Sequence, residues 1–234
     1  MRGKISEVVV DIGTMATPPV TSALPGDSDE QSLWKAKEGE SRADLLDRMR
    51  FAPFTAKILS LAMLNPETER GKVWYEHPQG DPWGSAGGNI ECIPASEHVM
   101  LREFWRALKR YRRLITFNGR SFDCPFLMLR SAILGIPPSR NLMTYRFSAG
   151  VHCDLLDQLT FYGATRKFTL ETYCRGFGIA RPWDGRGRPE IALLAGEGRY
   201  REIAEHAALT VTATAALYRR WRSSLSPGWE RSGD

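Results

Sequence analysis

Residues 114–123, with the sequence Leu-Ile-Thr-Phe-Asn-Gly-Arg-Ser-Phe-Asp, decide the fold of this chain. The first four are apolar or β-branched and predict a short buried strand. Asn118 and Gly119 form a dipeptide that is typical of a turn, and Arg120 to Leu134 has the pattern of a helix. The stretch therefore predicts a strand, a turn and a helix in succession, with Asp123 near the start of the helix.

A second acidic residue follows the first predicted strand of the chain. Ile5 to Val10 is rich in β-branched residues and predicts a buried strand that ends at Asp11. Functional sites of α/β sheets form at the carboxyl ends of parallel strands, so we expect Asp11 and Asp123 to converge there. Paired carboxylates are hard oxygen ligands that suit Mg²⁺ or Mn²⁺.

The rest of the chain predicts an antiparallel hairpin of two strands first, followed by strands that alternate with helices. They are predicted in this order: strands at Phe54–Leu64 and Lys72–His77, a helix from Ser96, a strand at Val151–Leu156, and helices around Leu159–Tyr162, Thr169–Phe177 and Gly198–Arg222. Pro78–Pro94 is Gly-rich and predicted to be irregular, and Arg181–Pro189 is predicted to be a basic loop. This order predicts an α/β fold, with a mixed sheet of five or six strands flanked by helices.

The composition excludes several classes of protein. The 234 residues carry a formal net charge of +5, and 42% are hydrophobic, which excludes a fibrous or wholly disordered chain. The chain has no run of about 18 apolar residues, and its four cysteines lack metal-ligand spacing, as expected for reduced core residues of a cytoplasmic protein. We expect one domain over 1–234, with a helical insertion at about 17–50 and a short basic tail at about 223–234.

The two acidic segments resemble the first two motifs of a known enzyme superfamily. Val8–Ile12 and Thr116–Asp123 are similar to motifs of the DEDD 3′–5′ exonucleases, which share a ribonuclease-H-like fold. More narrowly, the chain looks like the bacterial predicted exonucleases related to the proofreading domain of family-B DNA polymerases. Three further segments match in the same order: Pro53–Ile58, His152–Asp157 and Phe168–Cys174.

The resemblance implies a particular chemistry and a set of site residues. In these enzymes two metal ions, about 4 Å apart, activate a water and stabilise the leaving oxygen of a phosphodiester. Four carboxylates hold the metals, and in the Tyr subclass a tyrosine on the last helix orients the water. The resemblance implies Asp11 and Asp123 as ligands of Mg²⁺ or Mn²⁺. It also implies a nucleic-acid single strand or 3′ end as the partner, contacted by Asn118, Arg120 and Phe122.

Two of the four acidic positions carry other residues in this chain. Gly13 stands where the first-strand motif has Glu, and Thr210 stands where the last helix has Asp. His206 takes the place of the tyrosine and is the candidate base, while Asp154 is the nearest candidate for a third ligand. Because removing several members of a catalytic unit leaves only residual activity, the sequence predicts absent or strongly reduced hydrolysis and weak metal binding, if any.

Three functions remain open from the sequence. The first is a nucleic-acid-binding protein with a degenerate metal site. The second is an active exonuclease that uses Asp11, Asp123 and Asp154 as ligands together with His206. The third is a protein-interaction scaffold whose partner surface is formed by the 17–50 insertion and the tryptophan-bearing loops. Asp11 and Asp123 also have a purely structural interpretation, as an acid at a strand end and an acid at a helix start.

Other surface features admit a functional and a structural interpretation. The basic residues between Arg102 and Arg113 suit phosphate contacts, or simply a solvated helix face. Trp83, Trp183 and Trp229 can stack on bases if they are exposed, although loop tryptophans more commonly pack on their own domain.

Overall fold

A computed structural model gives the fold and describes these residues: 6–17, 37–77, 79–85, 87–180 and 191–226. Several features predicted from the sequence lie outside these residues: the basic loop Arg181–Pro189, residues 18–36 of the insertion, residues 227–234 of the tail, and Trp183 and Trp229.

Within the described residues the chain forms seven strands and seven helices. The strands are β1 (Glu7–Ala16), β2 (Ala56–Leu64), β3 (Gly71–Tyr75), β4 (Trp83–Gly84), β5 (Ile90–Pro94), β6 (Arg113–Thr116) and β7 (His152–Asp154). The helices are α1 (Arg42–Met49), α2 (Glu97–Leu108), α3 (Asp123–Ile133), α4 (Leu155–Leu159), α5 (Leu170–Gly176), α6 (Ile191–Gly196) and α7 (Tyr200–Ser224).

The strands form one mixed sheet in the order β4-β5-β3-β2-β1-β6-β7. β1, β2 and β3 are successively antiparallel, whereas β6 is parallel to both β1 and β7. The predicted α/β sheet flanked by helices is confirmed. It has more than five or six strands because the Gly-rich segment predicted to be irregular contributes β4 and β5, joined by a turn in which Gly88 has a φ of 69°.

The first strand is longer than its sequence indicates. β1 continues beyond Asp11 to Ala16 because β2 offers a partner along the whole distance, up to the pair Ala16 and Ala56. A bulge between Gly13 and Thr14 interrupts this ladder. Asp11 therefore lies inside β1, whereas the sequence predicts it at the end of the strand.

Helices cover both faces of the sheet because alternate residues of β1 point to opposite sides. Val9 packs with the apolar face of α7, including Val211, while Val8 packs with Phe104 of α2 and Leu127 of α3. Each such buried side chain stabilises the fold by about 1.5–3 kcal/mol. The four cysteines are buried and form no disulfide. Within the described part of the chain, no helix has the length and apolar character that a membrane span requires.

Several boundaries after β6 differ from the prediction: the helix predicted from Arg120 begins at Asp123, and two differences concern β7 and α4. The strand predicted over Val151–Leu156 ends at Asp154, because the Asp154 side chain accepts a hydrogen bond from the Leu156 N–H and begins α4. The residues around Leu159–Tyr162 were predicted to be helical, but α4 ends at Leu159. Phe161 and Tyr162 then adopt left-handed conformations, with φ of 51° and 58°.

Candidate active site

A cleft of about 890 Å³ borders β1 where its parallel neighbour β6 has ended. β6 pairs with β1 only as far as Val9, so the residues of β1 that follow are not covered by β6. The cleft is lined by five residues that the sequence singles out: Asp11, Asn118, Phe122, Asp123 and Thr210. The uncovered part of β1 thus brings together both predicted ligands, two predicted nucleic-acid contacts and one position that lacks its acid.

Asp123 is held directly against β1. The Ile12 N–H donates to Asp123 Oδ1 at 3.0 Å, which uses a backbone donor that β6 leaves unpaired. Burial, and then the neighbouring charge of Asp11, raise the pKa of Asp123 well above its usual range. The structure therefore brings the two carboxylates together, in surroundings that disfavour two unneutralised negative charges.

Asp154 supports the turn that delivers Asp123. Its Oδ1 accepts from the N–H of Asn118 at 2.9 Å and from that of Leu156 at 3.0 Å, and its Oδ2 accepts from the N–H of Arg120 at 2.8 Å. Asn118 has a φ of 64°, a left-handed conformation that Asn tolerates better than most residues. Asp154 does not line the cleft, and its oxygens are committed to backbone donors rather than placed for a metal.

Arg120, which the sequence predicts as a nucleic-acid contact, is engaged within the protein. Its guanidinium donates to the carbonyl oxygens of Thr144 at 2.8 Å and Tyr145 at 3.2 Å, and lies 3.9 Å from Asp157 Oδ2. Only 8% of its side chain is exposed. Arg120 therefore fastens the segment around Tyr145 to the turn, while Asn118 and Phe122 face the cleft.

The space beside Gly13 is occupied by other residues. A Cβ atom at this position would lie 2.5 Å from Ser60 Oγ and 3.1 Å from Cδ1 of Ile191, the first residue of α6. Ser60 is the partner of Gly13 in the β1–β2 ladder. Its buried hydroxyl has no hydrogen-bond partner among the described residues. An acidic side chain at position 13 would need Ser60 to move.

The last helix brings Thr210, but not His206, to the cleft. The Thr210 hydroxyl donates to the His206 carbonyl at 2.9 Å, one turn earlier in α7. His206 is buried, with 5% of its surface exposed, and is not among the described residues that line the cleft. The predicted base is therefore buried away from the described cleft lining, and the hydroxyl at position 210 is engaged by its own helix.

The structure adds cleft residues that the sequence analysis missed. Phe51 packs edge-on against Phe122 with ring centroids 5.5 Å apart, while Arg166, Lys167 and Glu171 line the side formed by α5 and the residues before it. The available signal was weak: a basic pair directly before the motif-like segment that begins at Phe168. The cleft thus combines exposed cations, aromatic rings and a third carboxylate.

A protein family described as "Predicted 3'-5' exonuclease related to the exonuclease domain of PolB" matches residues 88–226. This match covers more than half of the chain and includes β6, the turn with Asp123, β7 and α7. The chain belongs to this exonuclease family. Asp11 and Gly13 precede the matched residues, and the structure supplies their place relative to Asp123.

Relatives of this exonuclease-family chain include much longer polymerases. It is 29% identical over 133 residues to DNA polymerase 1 of Aeropyrum pernix, covering 51% of this chain and 13% of that protein. It is 31% identical over 81 residues to DNA polymerase 1 of Sulfolobus acidocaldarius, covering 32% and 9% respectively. The chain thus spans about a tenth of the length of these relatives.

A solved structure shares the fold. The family B DNA polymerase from the hyperthermophilic archaeon Pyrobaculum calidifontis superposes with a TM-score of 0.59 at 13% sequence identity. The superposition covers 93% of this chain and 24% of the polymerase chain. The chain is therefore an exonuclease-like domain with the fold found in a family B polymerase.

The described residues do not fit the two-metal centre that the exonuclease resemblance implies. Two dications need several anionic ligands, but positions 13 and 210 supply none and Asp154 is committed to the turn. Within the described residues, no group of three or more His, Cys, Asp or Glu side chains is arranged to hold a metal. Asp11 and Asp123 form a pair that is short of ligands.

Proposed function

We propose that this chain is a nucleic-acid-binding member of the exonuclease family whose phosphodiester hydrolysis is absent or strongly reduced. One observation carries the proposal: the cleft keeps Asp11 and Asp123, while the side-chain space of Gly13 is filled by Ser60 and Thr210 bonds to its own helix. The cleft therefore lies beside a metal site that lacks two of the four acids of the family motifs.

Binding of a nucleic-acid strand is supported by the composition of the cleft wall. Arg166 and Lys167 are exposed cations on this wall, and Phe51 and Phe122 present aromatic rings to the same cleft. Cations neutralise backbone phosphates, and aromatic faces stack on bases. This combination favours a single strand, whose bases are accessible.

Weak hydrolysis is supported by the electrostatics of the carboxylate pair. Burial and the charge of Asp11 raise the pKa of Asp123, so a proton stabilises the pair when no cation neutralises it. With fewer anionic ligands, a second dication gains too little attraction to offset its dehydration. Loss of several members of a catalytic unit leaves residual activity at best.

One observation favours a second candidate, an active exonuclease. Glu171 lines the same cleft as Asp11 and Asp123 and adds a third carboxylate that the family motifs do not use. If Glu171 supplies a metal ligand, purified wild-type protein will degrade a single strand in Mg²⁺ or Mn²⁺, and Glu171→Gln will stop it. Under the main proposal Glu171→Gln has no activity to remove.

A restoration experiment tests the main proposal. Gly13→Glu and Thr210→Asp return the two acids, and Ser60→Ala removes the hydroxyl that a Cβ at position 13 would meet at 2.5 Å. We expect nuclease activity on labelled single-stranded DNA or RNA in the triple variant, and none above the Asp123→Ala background in the wild type. The double variant without Ser60→Ala should recover less activity.

Binding is measured on the same proteins. The wild type should bind single strands with an affinity that falls steeply as salt rises. Robust wild-type degradation that Asp123→Ala abolishes would overturn the claim of weak hydrolysis. The absence of binding, or binding that does not depend on salt, would overturn the nucleic-acid role and favour a protein-interaction scaffold.

A further inference from the structure

Three aromatic rings form an exposed cluster beyond the cleft. Tyr145 and Phe147 are 73% and 59% exposed, and Tyr162 is half-buried beside them. The ring centroids of Tyr145 and Phe147 are 5.7 Å apart, and those of Phe147 and Tyr162 are 4.9 Å apart. We call these three residues the aromatic platform; it offers contiguous ring surface to solvent, which marks a binding surface.

The main chain under the aromatic platform is fastened at several points. Arg120 donates to the carbonyl oxygen of Tyr145, and Arg146 donates to both oxygens of Asp157 at 2.6 and 3.1 Å. Gln158 donates from Nε2 to the Tyr162 hydroxyl at 2.9 Å. These contacts hold the main chain at Tyr145 and the side chain of Arg146, which lies between Tyr145 and Phe147 in sequence. The exposed rings of Tyr145 and Phe147 therefore stand on a supported segment.

An unfavourable backbone conformation accompanies the platform. Phe161 and Tyr162 are consecutive aromatic residues with positive φ, a conformation that bulky side chains rarely adopt. Strained backbone of this kind concentrates at binding sites, where the surrounding structure maintains it. Here the turn brings the Tyr162 ring against Phe147 instead of continuing α4.

The aromatic platform is joined to the cationic wall of the cleft by a short piece of chain. Tyr162 is only four residues before Arg166, a distance that the chain spans in at most about 14 Å. Arg166 lies over the ring of Phe168, 5.5 Å from its centroid, and lines the cleft with Lys167. Arg120 connects the two regions: its backbone belongs to the turn beside the cleft, and its guanidinium donates to the carbonyl oxygen of Tyr145.

We propose that the aromatic platform is a base-stacking site for the part of a single-stranded nucleic acid that extends out of the cleft. This inference rests on the nucleic-acid binding proposed above. A single strand fits because it offers flat bases to the rings and phosphates to Arg166 and Lys167. Asp157, which pairs with the Arg146 between Tyr145 and Phe147 in sequence, also lies close to Arg120, so two cations offset its charge towards a phosphate chain.

The length of the strand provides the test. Fluorescence anisotropy would measure the affinity of the wild type for labelled oligothymidylates of about 4 and about 12 nucleotides, within the range of known single-strand sites. We expect the double variant Tyr145→Ala, Phe147→Ala to bind the longer strand at least about fivefold more weakly, the smallest effect expected from losing one stacked base. Its affinity for the shorter strand should stay within about twofold of the wild type.

Two controls separate stacking from general damage. Ile133→Ala removes an exposed apolar side chain of α3, 45% exposed, and should leave both affinities unchanged. The conservative variant Tyr145→Trp, Phe147→Trp keeps two stacking rings and should retain the affinity for the longer strand. Thermal unfolding of each variant shows whether the fold is intact.

Failure of this inference differs from failure of the proposed function. If the wild type binds both strands and the alanine variant weakens neither, or weakens both equally, the platform does not stack bases although the protein binds nucleic acid. If the wild type binds neither strand, both proposals fall. A wild-type dimer that dissociates in the alanine variant would assign the platform to protein contact and also overturn the inference.

Discussion

The two halves of the cleft are built in different ways. In one half, the turn from Asn118 to Asp123 is held by backbone N–H groups that donate to the carboxylates of Asp154 and Asp123. In the other half, Gly13 and Thr210 carry no charge. Ser60 and Ile191 fill the space beside Gly13, and the Thr210 hydroxyl donates to the carbonyl of His206. The first half is stabilised by hydrogen bonds, and the second half lies where the family motifs place two further acids but supplies neither.

This difference separates what the fold needs from what the chemistry needs. The Asp154 carboxylate accepts from one buried and two partly buried backbone N–H groups, so the turn depends on it whether or not a metal binds. The hydroxyl of Thr210 bonds within α7, and Gly13 allows Ser60 and Ile191 to approach β1. Substitutions should therefore affect stability strongly in the first half and only weakly at Thr210.

The largest effect is expected for Asp154→Ala. The substitution removes three hydrogen bonds from backbone N–H groups to a buried carboxylate. A buried donor left unpaired costs about 1–3 kcal/mol, and the two partly buried donors cost less because water reaches them, so we expect the free energy of unfolding to fall by about 3 kcal/mol. Urea unfolding measures this loss, and Asp154→Asn, which keeps one carbonyl acceptor, should lose less. A loss below about 1 kcal/mol would contradict the bracing role.

The next effect concerns His152, which lies beneath the same turn. Its Nε2 is 2.9 Å from Thr116 Oγ1, and burial, followed by the positive charge of Arg120, lowers the pKa of His152 to about 3. The unfolded chain binds this proton near pH 6.5. The neutral histidine therefore contributes stability that is fully present above about pH 6.5 and is lost as the pH falls towards 3.

The His152→Gln variant tests this dependence. The wild type should lose on the order of a few kcal/mol between about pH 6.5 and pH 3 on account of this group. His152→Gln has no proton to gain and should lose less over the same range. Urea unfolding at a series of pH values measures both slopes. Equal slopes would show that His152 does not couple protonation to the turn.

The turn half of the cleft is also the part that local sequence predicts best. The strand β6, the left-handed residue at Asn118 and the helix that follows are specified by adjacent residues, so they can be predicted without knowing the rest of the fold. The overall α/β order is predictable for the same reason, because each strand and helix has its own hydrophobic period.

Features that depend on distant partners could not be predicted. The extension of β1 past Asp11 depends on β2, and the filling of the Gly13 space depends on Ser60 across the ladder. The sequence gives Arg120 a charge but not its direction, which is set by the carbonyls of Thr144 and Tyr145. Likewise, nothing local places Glu171 in the cleft.

A third prediction uses metal to distinguish the two halves. If positions 13 and 210 are what weakens the site, excess Mg²⁺ should raise the Tm of the triple variant Gly13→Glu, Ser60→Ala, Thr210→Asp. Ligand at about 100 times its Kd stabilises a protein by about 2.7 kcal/mol, or about 5 °C or more in a chain of this size. The wild type should shift by less than about 1 °C. Equal shifts in calorimetry would mean that the acids at these positions do not determine metal affinity.

The smallest effect is expected for Thr210→Ala. The Thr210 hydroxyl donates to the His206 carbonyl, which as a helical carbonyl already accepts the backbone N–H of residue 210. Removing the hydroxyl leaves no buried acceptor unpaired, and alanine has the higher helix propensity. We therefore expect the free energy of unfolding and the affinity for single strands to change by less than about 0.5 kcal/mol.

The same urea and anisotropy measurements, made beside Asp154→Ala, give the contrast directly. A loss of more than about 1.5 kcal/mol in either quantity would mean that the Thr210 hydroxyl contributes to the cleft beyond its own helix. The two halves would then differ in charge but not in structural importance. A negligible change, next to a large one at Asp154, would show that position 210 is free to vary because only a metal would require its acid.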